Sequence, residues 1–469
     1  MLKYLLNPAH TPVMRVFFVT ALVGRNEIML LGSQRVNAQG HLEVGGCDCV
    51  ELAHEFGTPL YVMDEGQIRD NCRRYKAVFE ARYPKNDISF ASKAYLNMAI
   101  CKVMEQEGYS LDVASAGELY TAVKAGFPME RVLLHGNNKS RNELEMALEY
   151  GVGRVVVDNL PELRHLAALA KQAGKTQPVL LRVTPGIDPH THRRIRTGQE
   201  DTKFGLSLAS GAALEAVTEA LGAAPHLRIT GLHCHIGSQL LDAHTHEQAI
   251  DIMVGFLRKV ADTTGWMPED LDIGGGLGIR YTEDQKPPTY EEFADTIITA
   301  LNAALDKYGV PAPNLLQEPG RALVGEAGVT LYTVGVIKKV AIPEAPGERT
   351  YVTIDGGLSD NPRPQLYDAV YEVQAAARAG EPKTQTVRVA GKHCETDILI
   401  QEARTQPVET GDILAVQSTG AYNAVMASNY NRFPRPAGVF VRDGNADLVS
   451  RRETLEDVVS LDVVPARLS

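Results

Sequence analysis

Four short stretches carry residues that neither surface nor core explains. In "FASKAYLN" (Phe90–Asn97) a lysine, Lys93, closes an apolar strand. An ammonium is costly to bury alone, so it either snorkels into water or has a partner. Partly desolvated, such an amine has a lowered pKa and can form a Schiff base with an aldehyde. In "DIGGGLG", Gly274, Gly275 and Gly276 end a second strand. Glycine lets backbone N–H groups approach a phosphate closely, though a plain turn would also use it. In "HCHIGSQ", His233 and His235 stand two apart, on one face of a strand. No third ligand stands at a usual spacing, so no metal is expected. A flat imidazole stacking on an aromatic ring is the better use, with Ser238 free to bond a phosphate oxygen. In "QEPGR", Glu318 precedes Pro319 and Gly320 and so sits on a sharp turn. Its carboxylate either keeps a ring nitrogen protonated or pairs with Arg321.

These residues need a frame. Eight short apolar runs predict strands: Asp87–Ser92, Tyr109–Ser115, Arg131–Gly136, Arg154–Asn159, Pro178–Gly186, Arg228–Gly237, Asp270–Gly276 and Asn314–Gly320. Helical patterns lie between them, one starting at Ser140 or Arg141 and ended by Gly151. That alternation predicts an α/β fold, a (β/α)8 TIM-like barrel over residues 64–328. Chemistry in such barrels sits at the C-terminal strand ends. In order these carry Lys93, Asp112 and Ser115, His135 and Asn137, Asp158, Arg182, His235 and Ser238, Gly274–Gly276, then Glu318 and Arg321. From Val329 the helices thin out, which predicts a mostly antiparallel β domain over residues 329–469. Strands within residues 30–63 are expected to join it. Residues 1–29 include the apolar run Met14–Gly24, too short to span a bilayer. They are expected to lie outside the fold, as a weak signal peptide or as sequence ahead of a true start at Met29.

Composition narrows the partners. Of 469 residues, 44% are hydrophobic and 22% charged, which fits a soluble globular protein. The net charge of −11, without a basic run, argues against nucleic acid and anionic membrane. The six cysteines are scattered without a C-x-x-C pair, which fits a reducing, cytoplasmic setting.

Lysine, stacking histidine, phosphate glycines and a ring-facing acid together point to pyridoxal 5′-phosphate. With "FASKA", "LDVASAGEL", "HGNNKS", "TKFGLS", "HCHIGSQ", "GGGLG", "QEPGR", "RPQLYDA", "CETD" and "GAYNAVMASNYN", the chain resembles the fold-type III pyridoxal-phosphate-dependent decarboxylases. The resemblance runs from about Gly40 to near the C-terminus. It implies that Lys93 binds the cofactor covalently and His235 stacks on its ring. Ser238, Gly274, Gly275, Gly276, Glu318, Pro319, Gly320, Arg321 and Tyr422 would hold the cofactor. Arg321, Arg363 and Tyr367 would grip substrate carboxylates, with Tyr422 close by. The resemblance also implies a homodimer with shared sites. Cys394, as proton donor, and Glu395, which recognises a distal amino group, would come from the other subunit. The implied reaction is decarboxylation of meso-2,6-diaminopimelate to L-lysine, the last step of lysine biosynthesis. Arginine, ornithine or carboxynorspermidine is the rival substrate, and a non-catalytic binding protein is the second rival. Arg363, Tyr367 and Glu395 favour a substrate with an amino acid at both ends. The charged segment from Asp188 to Gly205 is expected either to close over the site or to be a solvated loop.

Overall fold

A computed structural model describes residues 29–187, 201–343 and 346–468. Eight strands form the barrel: β1 (Asn86–Ala91), β2 (Ser110–Val113), β3 (Val132–Leu134) and β4 (Arg154–Val157), then β5 (Gln177–Thr184), β6 (Leu227–His233), β7 (Asp270–Asp272) and β8 (Asn314–Gln317). Each pairs in parallel with the next, and β8 pairs with β1, so the sheet closes. All eight expected strands are present. Leu133, Val156, Leu180 and Leu316 form a buried cluster from four of them. Side chains of this kind fill a barrel interior, so ligands are held at its end.

Local sequence fixes where the chain turns at the mouth. Asn97, Ser115, Ser140, Asn159 and Thr289 each cap a helix by accepting a backbone N–H in its first turn. Ser140 and Glu143 form a reciprocal capping box, and Gly151 ends that helix in the left-handed region at φ 73°.

The second sheet is mixed. Gly328–Ala341 pairs antiparallel with Leu60–Asp64, Glu348–Ile354 and Ile413–Val416. Ala437–Arg442 runs parallel to Leu60–Asp64, and Glu348–Ile354 runs parallel to Gln385–Ala390. Leu42–Val44 does not enter this sheet. The Gly45–Gly46 turn folds it against Cys47–Asp48 in a small three-stranded sheet. Leu42 and Val44 still pack into the β domain's core with Val329 and Leu331. No helix among the described residues is long and apolar enough to cross a membrane.

Candidate active site

The C-terminal ends of the barrel strands converge on one cavity of about 590 Å³. Lys93, His135, Arg182, His235, Ser238, Arg321, Arg363, Tyr367 and Tyr422 all line it. A narrow recess beneath it is bounded by Gly275, Gly276, Glu318, Pro319 and Gly320, and shares Lys93 and Arg321 with the cavity above.

Lys93 follows β1 in a single 3-10 turn, and its Nζ lies 3.6 Å from Asp112 Oδ2. The sequence expectation of a lowered pKa is overturned. Burial pulls the amine down, but the Asp112 carboxylate, with Tyr422 and Glu318, outweighs it and the net direction is up. Asp112 was legible as a strand end, but its pairing across β1 and β2 was not.

Glu318 is buried and faces two imidazoles rather than Arg321. His135 Nε2 lies 2.7 Å from its Oε1, and His233 Nε2 lies 3.3 Å from its Oε2. Burial alone would raise the Glu318 carboxyl; His135 and His233 outweigh it and hold it well below the usual carboxylate range. Burial pushes His233 down to about 4, so near neutral pH it meets Glu318 as an N–H donor rather than as a cation. Asp272, buried behind them, is pushed well above its ordinary range by burial and by the charge on Glu318. Of this acidic pair, Glu318 therefore carries the charge. His135, His233 and Glu318 are close enough to hold a metal ion, a grouping the sequence spacing did not reveal. His233 Nε2 makes a hydrogen bond to the carboxylate, whereas His135 Nε2, though close to Oε1, does not meet it in hydrogen-bonding geometry. Burial also pushes His235 well below its ordinary pKa, with Lys93 adding to the effect, so the ring presents a neutral face.

The glycine turn after β7 is tightly built. Gly274 has φ 69° and Gly276 φ 129°, both positive. A Cβ on Gly275 would fall 2.2 Å from the Glu318 carbonyl oxygen, and one on Gly276 would fall 2.9 Å from that of Gly237. Arg321 donates to the Tyr281 hydroxyl and, at 3.1 Å, to Ser238 Oγ, while its buried Nε has no hydrogen-bond partner. Tyr422 approaches from the β domain with φ 60°, tied by its N–H to the Ala94 carbonyl at 2.8 Å. A side-chain-free cradle, an unsatisfied guanidinium N–H and a lysine at the rim fit a phosphate-bearing aldehyde cofactor. Gly275→Ala should therefore lower stability by roughly 1–3 kcal/mol, the usual cost of overpacking, and speed cofactor loss. Melting temperature and absorbance after dialysis check this.

Arg363 reaches the cavity from the β domain. Its Nη1 donates to the hydroxyls of Tyr281 (3.0 Å) and Tyr371 (2.6 Å), and its guanidinium lies 4.9 Å from the Tyr281 ring centroid. The two tyrosines, and Phe204 beneath Arg182 at 4.4 Å, were not found by sequence reasoning. They sit on loops, without periodicity to mark them. Residues 188–200 of the expected closing segment lie outside the described residues. The end that is described contributes Lys203 and Phe204 to the cavity, and Gly205 N–H donates to Asp158 Oδ2 at 3.0 Å.

Cys394 and Glu395 do not join Lys93 within one chain. Cys394 is exposed and its N–H donates to Asn431 Oδ1 at 2.9 Å; Glu395 accepts from the Tyr430 hydroxyl at 2.6 Å. Neither lines the Lys93 cavity.

Residues 65–325, more than half of the chain, match the family model for the pyridoxal-binding domain of pyridoxal-dependent decarboxylases. The chain belongs to that family. Among these decarboxylases it is 49% identical over 437 residues to the diaminopimelate decarboxylase of Bacillus subtilis (strain 168), covering 93% of this chain and 98% of that protein. The diaminopimelate decarboxylase of Halalkalibacterium halodurans is 46% identical, over 92% of this chain and 97% of that protein. The crystal structure of diaminopimelate decarboxylase from M. jannaschii in complex with L-lysine superposes with a TM-score of 0.85 at 36% identity, over 93% of this chain and 99% of that one. The fold-type III assignment, an enzyme with a barrel and a β domain, stands on both.

Proposed function

We propose that this decarboxylase converts meso-2,6-diaminopimelate to L-lysine and CO2, with pyridoxal 5′-phosphate as resident cofactor, in a cytoplasmic homodimer. The observation that carries the reading is that Lys93 and Arg321 join two adjoining spaces, a recess bounded by the Glu318 carboxylate and a cavity lined by the Arg363 guanidinium. When bound, the cofactor supplies the electron sink that makes loss of CO2 possible.

The chain's own groups do the rest. Lys93 would hold the cofactor through Nζ, with the neutral His235 ring packing against it. The charged Glu318 carboxylate, beside His135 and His233, would keep the cofactor's ring nitrogen protonated. Gly274–Gly276, Ser238 and the Glu318–Arg321 segment would hold the phosphate. Arg363 and Tyr367 hold a substrate carboxylate, and the tyrosines around Arg363 set its plane in advance. Breaking the Cα–carboxylate bond leaves its electron pair on Cα, and Cys394 Sγ of the second subunit returns a proton there. Glu395 of that subunit pairs with the distal ammonium. Phe204 and Arg182 help to exclude water above the site.

Arg363→Ala or Tyr367→Phe removes a charge-assisted contact made to bound and reacting substrate alike, worth about 1.5–3 kcal/mol. KM for diaminopimelate should rise roughly 10- to 100-fold, with a much smaller change in kcat; steady-state kinetics decide, and unchanged KM would place the β-domain loop off the substrate. The proposed reaction itself is tested with purified holoenzyme. Lysine and CO2 should form one to one from meso-diaminopimelate, and a colourless protein without turnover would favour the non-catalytic reading.

A further inference from the structure

Cys394 and Glu395 occupy an exposed turn, yet a proton donor must be held in line with its target. The residue before Cys394 turns the other way. The His393 side chain is fully buried, with Nδ1 2.6 Å from Asp397 Oδ2 and Nε2 2.7 Å from Ser359 Oγ. The Ser359 backbone N–H also points at Nε2, at 3.3 Å. A backbone N–H can only donate, so Nε2 accepts and the ring proton sits on Nδ1, directed at Asp397.

Asp397 is a hub. Its Oδ1 accepts from Leu358 N–H at 2.8 Å, and its Oδ2 accepts from His393 N–H at 3.1 Å as well as from the ring. It has φ 40°, a left-handed conformation uncommon for a residue with a side chain. A Cβ on Gly357 or Gly391 would land 2.3 or 1.9 Å from Asp397 Oδ2, so the carboxylate fills space that two absent side chains leave. On the outer side the His393 ring stacks on Tyr430 at 6.0 Å and meets the edge of Phe433 at 5.0 Å. Tyr430 and Asn431 are the partners of Glu395 and Cys394, respectively.

Serine, histidine and aspartate stand here in the order of an acyl-transfer triad. However, Ser359 is only 5% exposed and no substrate can reach it. We propose instead that His393, fixed by Asp397 and Ser359, is a positioning residue that sets the direction in which Cys394 and Glu395 are presented to the neighbouring active site. This rests on the reading that those two residues act across the dimer.

The test uses full-length holoenzyme. In His393→Ala, hydrogen exchange in the peptide spanning 391–397 should quicken by roughly tenfold or more while the barrel strands exchange as in wild type. The kcat should fall roughly 10- to 100-fold. Wild-type exchange together with wild-type kcat overturns the proposal, as does faster exchange spread over the whole molecule. Mixing His393→Ala with Lys93→Ala separates this from the dimer reading. Their heterodimer pairs one intact Lys93 with one intact His393 turn, so activity should return. If exchange is local but mixing restores nothing, His393 positions Cys394 within its own chain, and it is the shared-site reading that fails. Should His393→Ala not fold, Ser359→Ala is read instead. An intermediate quickening confined to 391–397 supports the proposal, and wild-type exchange there overturns it.

Discussion

Lys93→Ala should reduce turnover to background, a loss of roughly 10³-fold or more, about 4 kcal/mol of transition-state stabilisation. Lys93 is the lysine placed where the floor recess and the substrate cavity meet. Its nearest carboxylate is Asp112 at 3.6 Å, close enough to favour the ammonium but too long for a tight hydrogen-bonded pair. Lys139 makes the contrast. Whereas the Lys93 side chain opens into the cavity, Lys139 is buried, and its Nζ donates to Gly136 O (2.8 Å), Val156 O (2.6 Å) and Glu162 Oε1 (2.8 Å). All three of its donors are used, so it has none to spare for a ligand. Borohydride treatment of the wild type should fix the cofactor at Lys93, read by peptide mass spectrometry. Labelling at Lys139 or Lys203 would contradict the assignment.

The second large effect concerns the dimer. Cys394→Ala should cost on the order of 10²–10⁴ in kcat, the range for a positioned proton donor. Lys93→Ala and Cys394→Ala should each be nearly inactive alone. Cys394 is exposed and absent from the Lys93 cavity of its own chain, so each site is expected to be completed by the second subunit of an isologous pair. After subunit exchange, about half of the dimers are mixed, each with one doubly defective and one intact site. Roughly a quarter of wild-type activity should then return. Verified exchange without recovery would place both residues in one site of one chain.

The strands were legible because each is a short β-branched or apolar run followed by a helix start, and the closed barrel follows from their number. The site residues at strand ends were legible for the same reason: fold and position together bring Lys93, His235, Glu318 and Arg321 to one end. What was not legible depends on contacts between strands and loops. The upward shift of Lys93 comes from Asp112 on the next strand. The charge on Glu318 is set by His135, far off in sequence, rather than by its neighbour Arg321. Tyr281 and Tyr371 order Arg363 from loops with no period to read. In the β domain, the run of Ala437–Arg442 parallel to Leu60–Asp64 joins opposite ends of the chain, which local patterning does not encode.

The reaction itself is the central claim, and a substrate panel tests it most directly. Purified holoenzyme is given meso-diaminopimelate, ornithine, arginine and carboxynorspermidine in parallel, with CO2 and amine products quantified and kcat/KM compared. The Arg321 and Arg363 guanidinium groups in the cavity and the partner-borne Glu395 predict that meso-diaminopimelate is turned over with the highest kcat/KM and yields L-lysine. Faster decarboxylation of any of the other three, or none of diaminopimelate by a fully loaded enzyme, would contradict it.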